Sequence, residues 1–184
     1  MKPLMNLLFA ASLISPNVFA ADYRSDYAGE QHRLIKSLST EDIRQIQAGK
    51  GWGLAKAAEL NGYPGPRHVL DMAEELELSE RQRTEMSDLF DDMKARAIVA
   101  GERYLAAEQS LEQAFRSKDV DSRSLKSLIS VSADALTELR YVHLATHLAA
   151  INLLGRHQLA QYNQLRGYSN EKSFTETDAN HHRH

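Results

Sequence analysis

Two histidines set four residues apart, His143 and His147, are the side chains whose types and spacing best suit chemistry. On a helix, residues four apart share a face, so one metal ion could touch both imidazoles. If the chain folds back on itself near position 119, His143 falls opposite about position 95 and His147 opposite about position 91. Asp91, Asp92 and Met93 then lie near the pair. Two imidazoles with a carboxylate suit zinc, and adding the thioether of Met93 shifts the preference toward copper. The competing reading makes both histidines polar flanks of a helical seam, packed under Tyr141 or against a second copy. The sequence contains no cysteine, so thiolate ligands and nucleophiles are excluded. No glutamate follows His143 in Tyr141-Val142-His143-Leu144-Ala145-Thr146-His147, which argues against zinc hydrolysis. Neither a nucleophile elbow nor a glycine-rich phosphate loop is present, and the chain reads as a binding protein that uses no nucleotide.

These residues need rigid elements to hold them. Between Leu78 and Leu154 the sequence predicts two long antiparallel helices. The first leg carries Met86, Phe90, Met93, Ala97, Ala100, Tyr104, Ala107, Leu111 and Ala114 at alternating steps of four and three. The second repeats the rhythm with Leu125, Leu128, Ser132, Ala135, Leu139, Val142, Thr146, Ala149 and Leu153. This is the seam pattern of a helical hairpin. Ser117 to Ser122 interrupts it with turn and capping residues. Each leg, at about 35 residues, spans roughly 50 Å. Alanine-rich seams bury little area per residue, so a homodimer is expected.

Upstream, Ala21 to Lys36 is polar and reads as an arm bearing Tyr23 and Tyr27. Ser39 caps a short helix with Ile43 and Ile46 inward and Gly49 as its stop. A second short helix is expected over Leu54 to Leu60, and a third from Pro66 through about Leu76. Trp52, the single tryptophan, is expected to pack over one end of the hairpin. Residues 169–184 form a polar tail ending His181-His182-Arg183-His184, expected to be disordered and a weak metal scavenger at most.

Residues 1–20 have the form of a signal peptide: Lys2, an apolar run, then Val18-Phe19-Ala20 before Ala21. That form implies export to the periplasm. The formal net charge of −3 gives no support to a nucleic-acid role. The domain organisation read from these signals is 1–20 leader, 21–66 arm and short helices, 67–168 helical domain, and 169–184 tail.

Leu78-Ser79-Glu80-Arg81-Gln82 is a leucine followed by a helix-capping box, and Leu154-Gly155-Arg156-His157-Gln158 repeats the frame. The pair resembles the "LTxxQ" motif of the Spy/CpxP family of periplasmic chaperones and stress modulators. That family includes the zinc-responsive ZraP branch and the CnrX-like metal sensors. Leu78, Ser79, Gln82, Leu154 and Gln158 carry the resemblance, which covers roughly Leu70 to Tyr168; Ser79 stands for the usual threonine and Gly155 occupies the second cap. The stretches Gly53 to Pro66 and Tyr162 to Tyr168 are also similar to members described as periplasmic heavy-metal sensors. The resemblance implies an all-α hairpin forming a curved dimer. It further implies an ATP-independent chaperone for unfolded periplasmic proteins, with a zinc or copper sensor acting on a membrane-bound partner as the alternative. Met86, Phe90 and Met93 are the expected client contacts, because thioethers adapt to varied surfaces. An inert structural dimer is the third class.

Overall fold

The computed structural model describes residues Tyr23 to Tyr168. Every regular element among them is helical: α1 (Thr40–Gln47), α2 (Lys56–Glu59), α3 (Pro66–Asp71), α4 (Glu80–Arg116), α5 (Ser122–Ala150) and α6 (Arg156–Leu165), with short 3-10 turns at Glu30–His32 and Ile151–Leu153. None of these helices is long and apolar enough to cross a membrane. The expected leader and the histidine-bearing tail lie outside the described residues.

The hairpin is α4 against α5, as the seam pattern predicts. Its register is fixed by Ser132, whose hydroxyl donates to Glu108, and by Gln82 Nε2, which donates to the Leu153 carbonyl at 2.8 Å. The turn is shorter by one residue than expected. Asp121 is the N-cap of α5, its carboxylate accepting from the amides of Arg123 at 3.0 Å and Ser124 at 2.7 Å.

The seam is not uniformly buried, because the segments upstream of α4 pack along only part of it. Ile35, Leu38 and Ile46 join Met93, Ala97, Ala100, Tyr104, Leu139 and Val142 in one core. Val69, Leu76, Met86, Ala150, Leu154 and Tyr162 form a second at the open end. Toward the turn, Leu111, Leu125 and Leu128 stay half-exposed. Small residues let α1 approach α4 closely: a Cβ on Gly101 would lie 2.7 Å from Ile46 Cγ2. Gly49 ends α1 at φ 65°, a conformation that glycine adopts without steric cost.

Three local expectations are corrected. The supposed arm is docked by its end: Ile35 is buried, and Lys36 ion-pairs with Glu112 on α4. The helix expected to reach Leu76 stops at Asp71, and Glu74, Glu75 and Glu77 follow in turns. Three carboxylates beside a helix C-terminus oppose its dipole, which disfavours the extra turn. Trp52 packs on Tyr104, with ring centroids 6.0 Å apart, in the middle of α4 and not over an end, and its Nε1–H donates to Asp42 at 2.8 Å.

Candidate functional site

Both capping motifs sit at the open end, and the structure joins them. Gln82 closes the first box: its Oε1 accepts from the Ser79 amide at 3.0 Å, and Ser79 Oγ accepts from the Gln82 amide at 3.3 Å. In the second copy Gln158 Oε1 accepts from the Gly155 amide at 2.8 Å, while glycine returns no side-chain bond. The glutamines then pair with each other. Gln82 Nε2 donates to Gln158 Oε1 at 2.9 Å, and Gln158 Nε2 donates to Gln82 Oε1 at 3.2 Å. Gln158 Nε2 also reaches the Leu76 carbonyl at 3.1 Å. One amide pair thus clasps the starts of α4 and α6 to the chain before α4 and after α5.

The histidines lie one layer deeper. His143 and His147 face the short helices, where Tyr63-Pro64-Gly65-Pro66 closes over them. Gly65 permits the close approach, since a Cβ there would lie 3.0 Å from His147 Cε1 and 3.2 Å from its Nε2. His147 Nδ1 lies 2.7 Å from the Tyr63 carbonyl oxygen. A carbonyl only accepts, so Nδ1 carries a hydrogen, and in the neutral ring Nε2 keeps the lone pair. Behind the ring, 3.9 Å from Nδ1, stands the carboxylate of Glu59.

Glu59 is nearly buried and fully engaged. Its Oε1 accepts from Tyr162 Oη at 2.6 Å and Tyr168 Oη at 3.2 Å, and meets the Arg166 guanidinium at 3.2 Å. Its Oε2 accepts from the Gly65 amide at 3.3 Å. Burial and then the Glu59 carboxylate push the Tyr162 phenol well above its ordinary range. The segment ending in Tyr168 is therefore tied to the loop that orients His147.

His143 is 2% exposed and its Nε2 has no hydrogen-bond partner in the protein. Burial, and then the neighbouring His147, hold its pKa below the usual imidazole value, so the ring is neutral at neutral pH. Both histidines line a cavity of about 490 Å³, together with Met93, Phe90 and His68. Lys50, Arg67 and Lys94 complete its charged lining, and no carboxylate lines it.

The structure separates this group from the carboxylates expected beside it. Asp91 and Asp92 are solvent-exposed, and Asp92 meets Arg96 at 3.4 Å. Counting from the turn fixes height along α4 but not angle around it; with Met93 facing inward, residues one and two before it point elsewhere. Among the described residues, no group of three or more histidines, cysteines or carboxylates is arranged to hold a metal. The side chains expected to contact clients are largely buried. Met86 is 0% and Met93 8% exposed, both taken up by the cores, and Phe90 is half-buried with the Arg67 guanidinium 5.9 Å from its ring centre.

The sequence reading missed Glu59, Tyr63, Gly65 and His68 as part of this site. Their one signal is the rigid Tyr63-Pro64-Gly65-Pro66 turn, with a glutamate and a histidine on either side. No protein-family model, curated protein or solved structure matches the chain.

Proposed function

We propose that the protein is a non-enzymatic, metal-responsive modulator of the cell envelope, of the Spy/CpxP kind, with His143 and His147 as the responsive pair. The observation that carries this reading is the buried, unpartnered Nε2 of His143 beside a His147 whose other ring nitrogen is already committed to Tyr63. An unpaired buried ring nitrogen costs about 1–3 kcal/mol, and ligation would relieve that cost. The Nδ1–H to carbonyl bond is the usual support that fixes the orientation of a ligating imidazole. With Met93 the donor set is two nitrogens and a thioether, which suits a soft monovalent ion such as copper(I). Zinc fits less well: its expected carboxylates are elsewhere, and Lys50, Arg67 and Lys94 oppose a divalent charge. The leader-like residues 1–20 support a periplasmic site of action, and a membrane-bound sensor is the partner the family resemblance suggests.

The test is competitive copper(I) titration of the full chain with His181, His182 and His184 replaced by alanine to silence the tail. One equivalent is expected to bind. His143→Ala or His147→Ala should each weaken binding at least about tenfold, the loss of roughly 1.4 kcal/mol. Undiminished binding in the double variant would move the ion elsewhere.

Exposed apolar side chains on the hairpin support a second reading, ATP-independent binding of unfolded clients. Val99 and Val131 line shallow grooves between α4 and α5, interspersed with Arg96, Arg103 and Glu138. This surface replaces Met86 and Met93 as the place for a client. Suppression of aggregation in the presence of chelator, without ATP, supports it; Val99→Glu with Val131→Glu should abolish the effect. Suppression only after copper or zinc is added would make it subordinate to the metal.

A further inference from the structure

The cavity beside the histidines is far larger than one ion requires. At about 490 Å³ it lies in the range of small-molecule sites, roughly 300–1,000 Å³. Its apolar lining includes Phe90, Met93, Ala55 and Pro66. Its charged lining is of one sign: Lys50, Lys94 and Arg67, with no acid among the lining residues. Arg67 is partly committed, since it pairs with Asp71 at 3.0 Å and lies over Phe90. Among the described residues neither lysine is ion-paired. His143, 2% exposed, closes one side of the lining.

We propose that this cavity is a binding site for a small organic monoanion with an apolar body, of the class of a medium-chain carboxylate. The tail of such a ligand covers Phe90 and Met93. Its carboxylate is held by Lys50 and Lys94. Charge decides the class. A neutral alkyl chain gains only the apolar burial, and an alkylammonium of the same length meets two unpaired lysines and an arginine partly offset by Asp71. The site shares a wall with the proposed metal pair but needs no metal.

Octanoate is the probe, with octanol and octylammonium as matched neutral and cationic chains, all titrated into the full chain by calorimetry in the presence of a chelator. Octanoate should bind one to one, at least about tenfold tighter than octylammonium, and more weakly as salt is raised. Lys50→Glu with Lys94→Glu, both exposed and therefore compatible with folding, should weaken octanoate about tenfold and strengthen octylammonium. The His143 ring proton resonances should shift with octanoate at the stoichiometry seen by heat. Equal affinity for the three probes, indifference to the lysine reversals, or no octanoate binding at millimolar concentration would overturn the proposal. Because every titration contains chelator, such a failure leaves the copper titration standing, and failure of copper to bind leaves this result untouched.

Discussion

Replacing Gln82 with alanine should cost about 2–3 kcal/mol, well beyond the loss of one helix cap. Its side chain accepts from Ser79, donates to the Leu153 carbonyl, and exchanges two bonds with Gln158. The Ser79 amide is near water and finds a new partner on truncation, so that bond counts for about 0.5–1 kcal/mol. The bonds to Leu153 and Gln158 are half-buried and cross between distant segments; at a net 0.5–1.5 kcal/mol each they supply the rest. Ser79→Ala removes the hydroxyl that accepts from the Gln82 amide and donates to Gln82 Oε1, both exposed bonds, for about 1 kcal/mol. Gln82 and Gln158 also share their bonds. The double alanine variant should therefore be more stable than the sum of the single losses predicts, by about 1 kcal/mol. Urea unfolding followed by circular dichroism measures all four corners of this cycle. Additivity within roughly 0.3 kcal/mol, or equal costs for Gln82→Ala and Ser79→Ala, would refute the clasp.

Gly101→Ala, which in an exposed helix stabilises by about 1 kcal/mol, should here destabilise by a similar amount. Its Cβ would lie 2.7 Å from Ile46 Cγ2 and 3.0 Å from the Ile46 carbonyl oxygen, and the substitution should cost less in an Ile46→Ala background than in the native chain, compared by thermal melts. Stability should fall as pH drops below about 6.5, because the unfolded chain takes up a proton that buried His143 resists; His143→Phe should flatten that limb of the profile. A further loss is expected below the ordinary carboxylate value near 3.8. Hydrogen bonds from Ser39 and then Trp52 depress the pKa of Asp42, so the stability it lends is full above that value and disappears as pH falls through the folded one. Trp52 fluorescence should report this second step, and Asp42→Asn should remove it.

The hairpin was legible because two helices that face each other must place apolar residues at steps of three and four, and Met86 to Ala107 keep that rhythm. Capping was legible at Ser39 and Ser79, which satisfy amides three residues away, whereas the cap at Asp121 came one residue earlier than the expected helix boundary. The site was legible by half. Spacing placed His143 and His147 together on one face of α5, but the turn count could not give the angle at which α4 presents Asp91 and Asp92. Glu59 was hidden more deeply. On a four-residue helix it looks like any surface acid, and its tyrosine and arginine partners come from a segment about a hundred residues later. The clasp between Gln82 and Gln158 likewise joins positions that share no periodicity. Two similar motifs announced two helix starts, and only the fold put them side by side.

Tyr162, fully buried among Val69, Leu76 and Met86, has a consequence for the order in which the molecule can be made. It belongs to α6, yet it completes a core begun by α3. During synthesis roughly 90 residues separate Asp71 from Tyr162, on the order of 5–20 s at ordinary elongation rates. Through that interval Val69 and Leu76 have no lid, and the Glu59 carboxylate lacks both its phenols and its guanidinium. A nascent chain therefore finishes its open end last, whatever the hairpin has already done. Ribosome-stalled chains ending before Arg156 should remain protease-sensitive across α2 and α3, and the same region should become resistant within a few residues of Tyr168 leaving the tunnel.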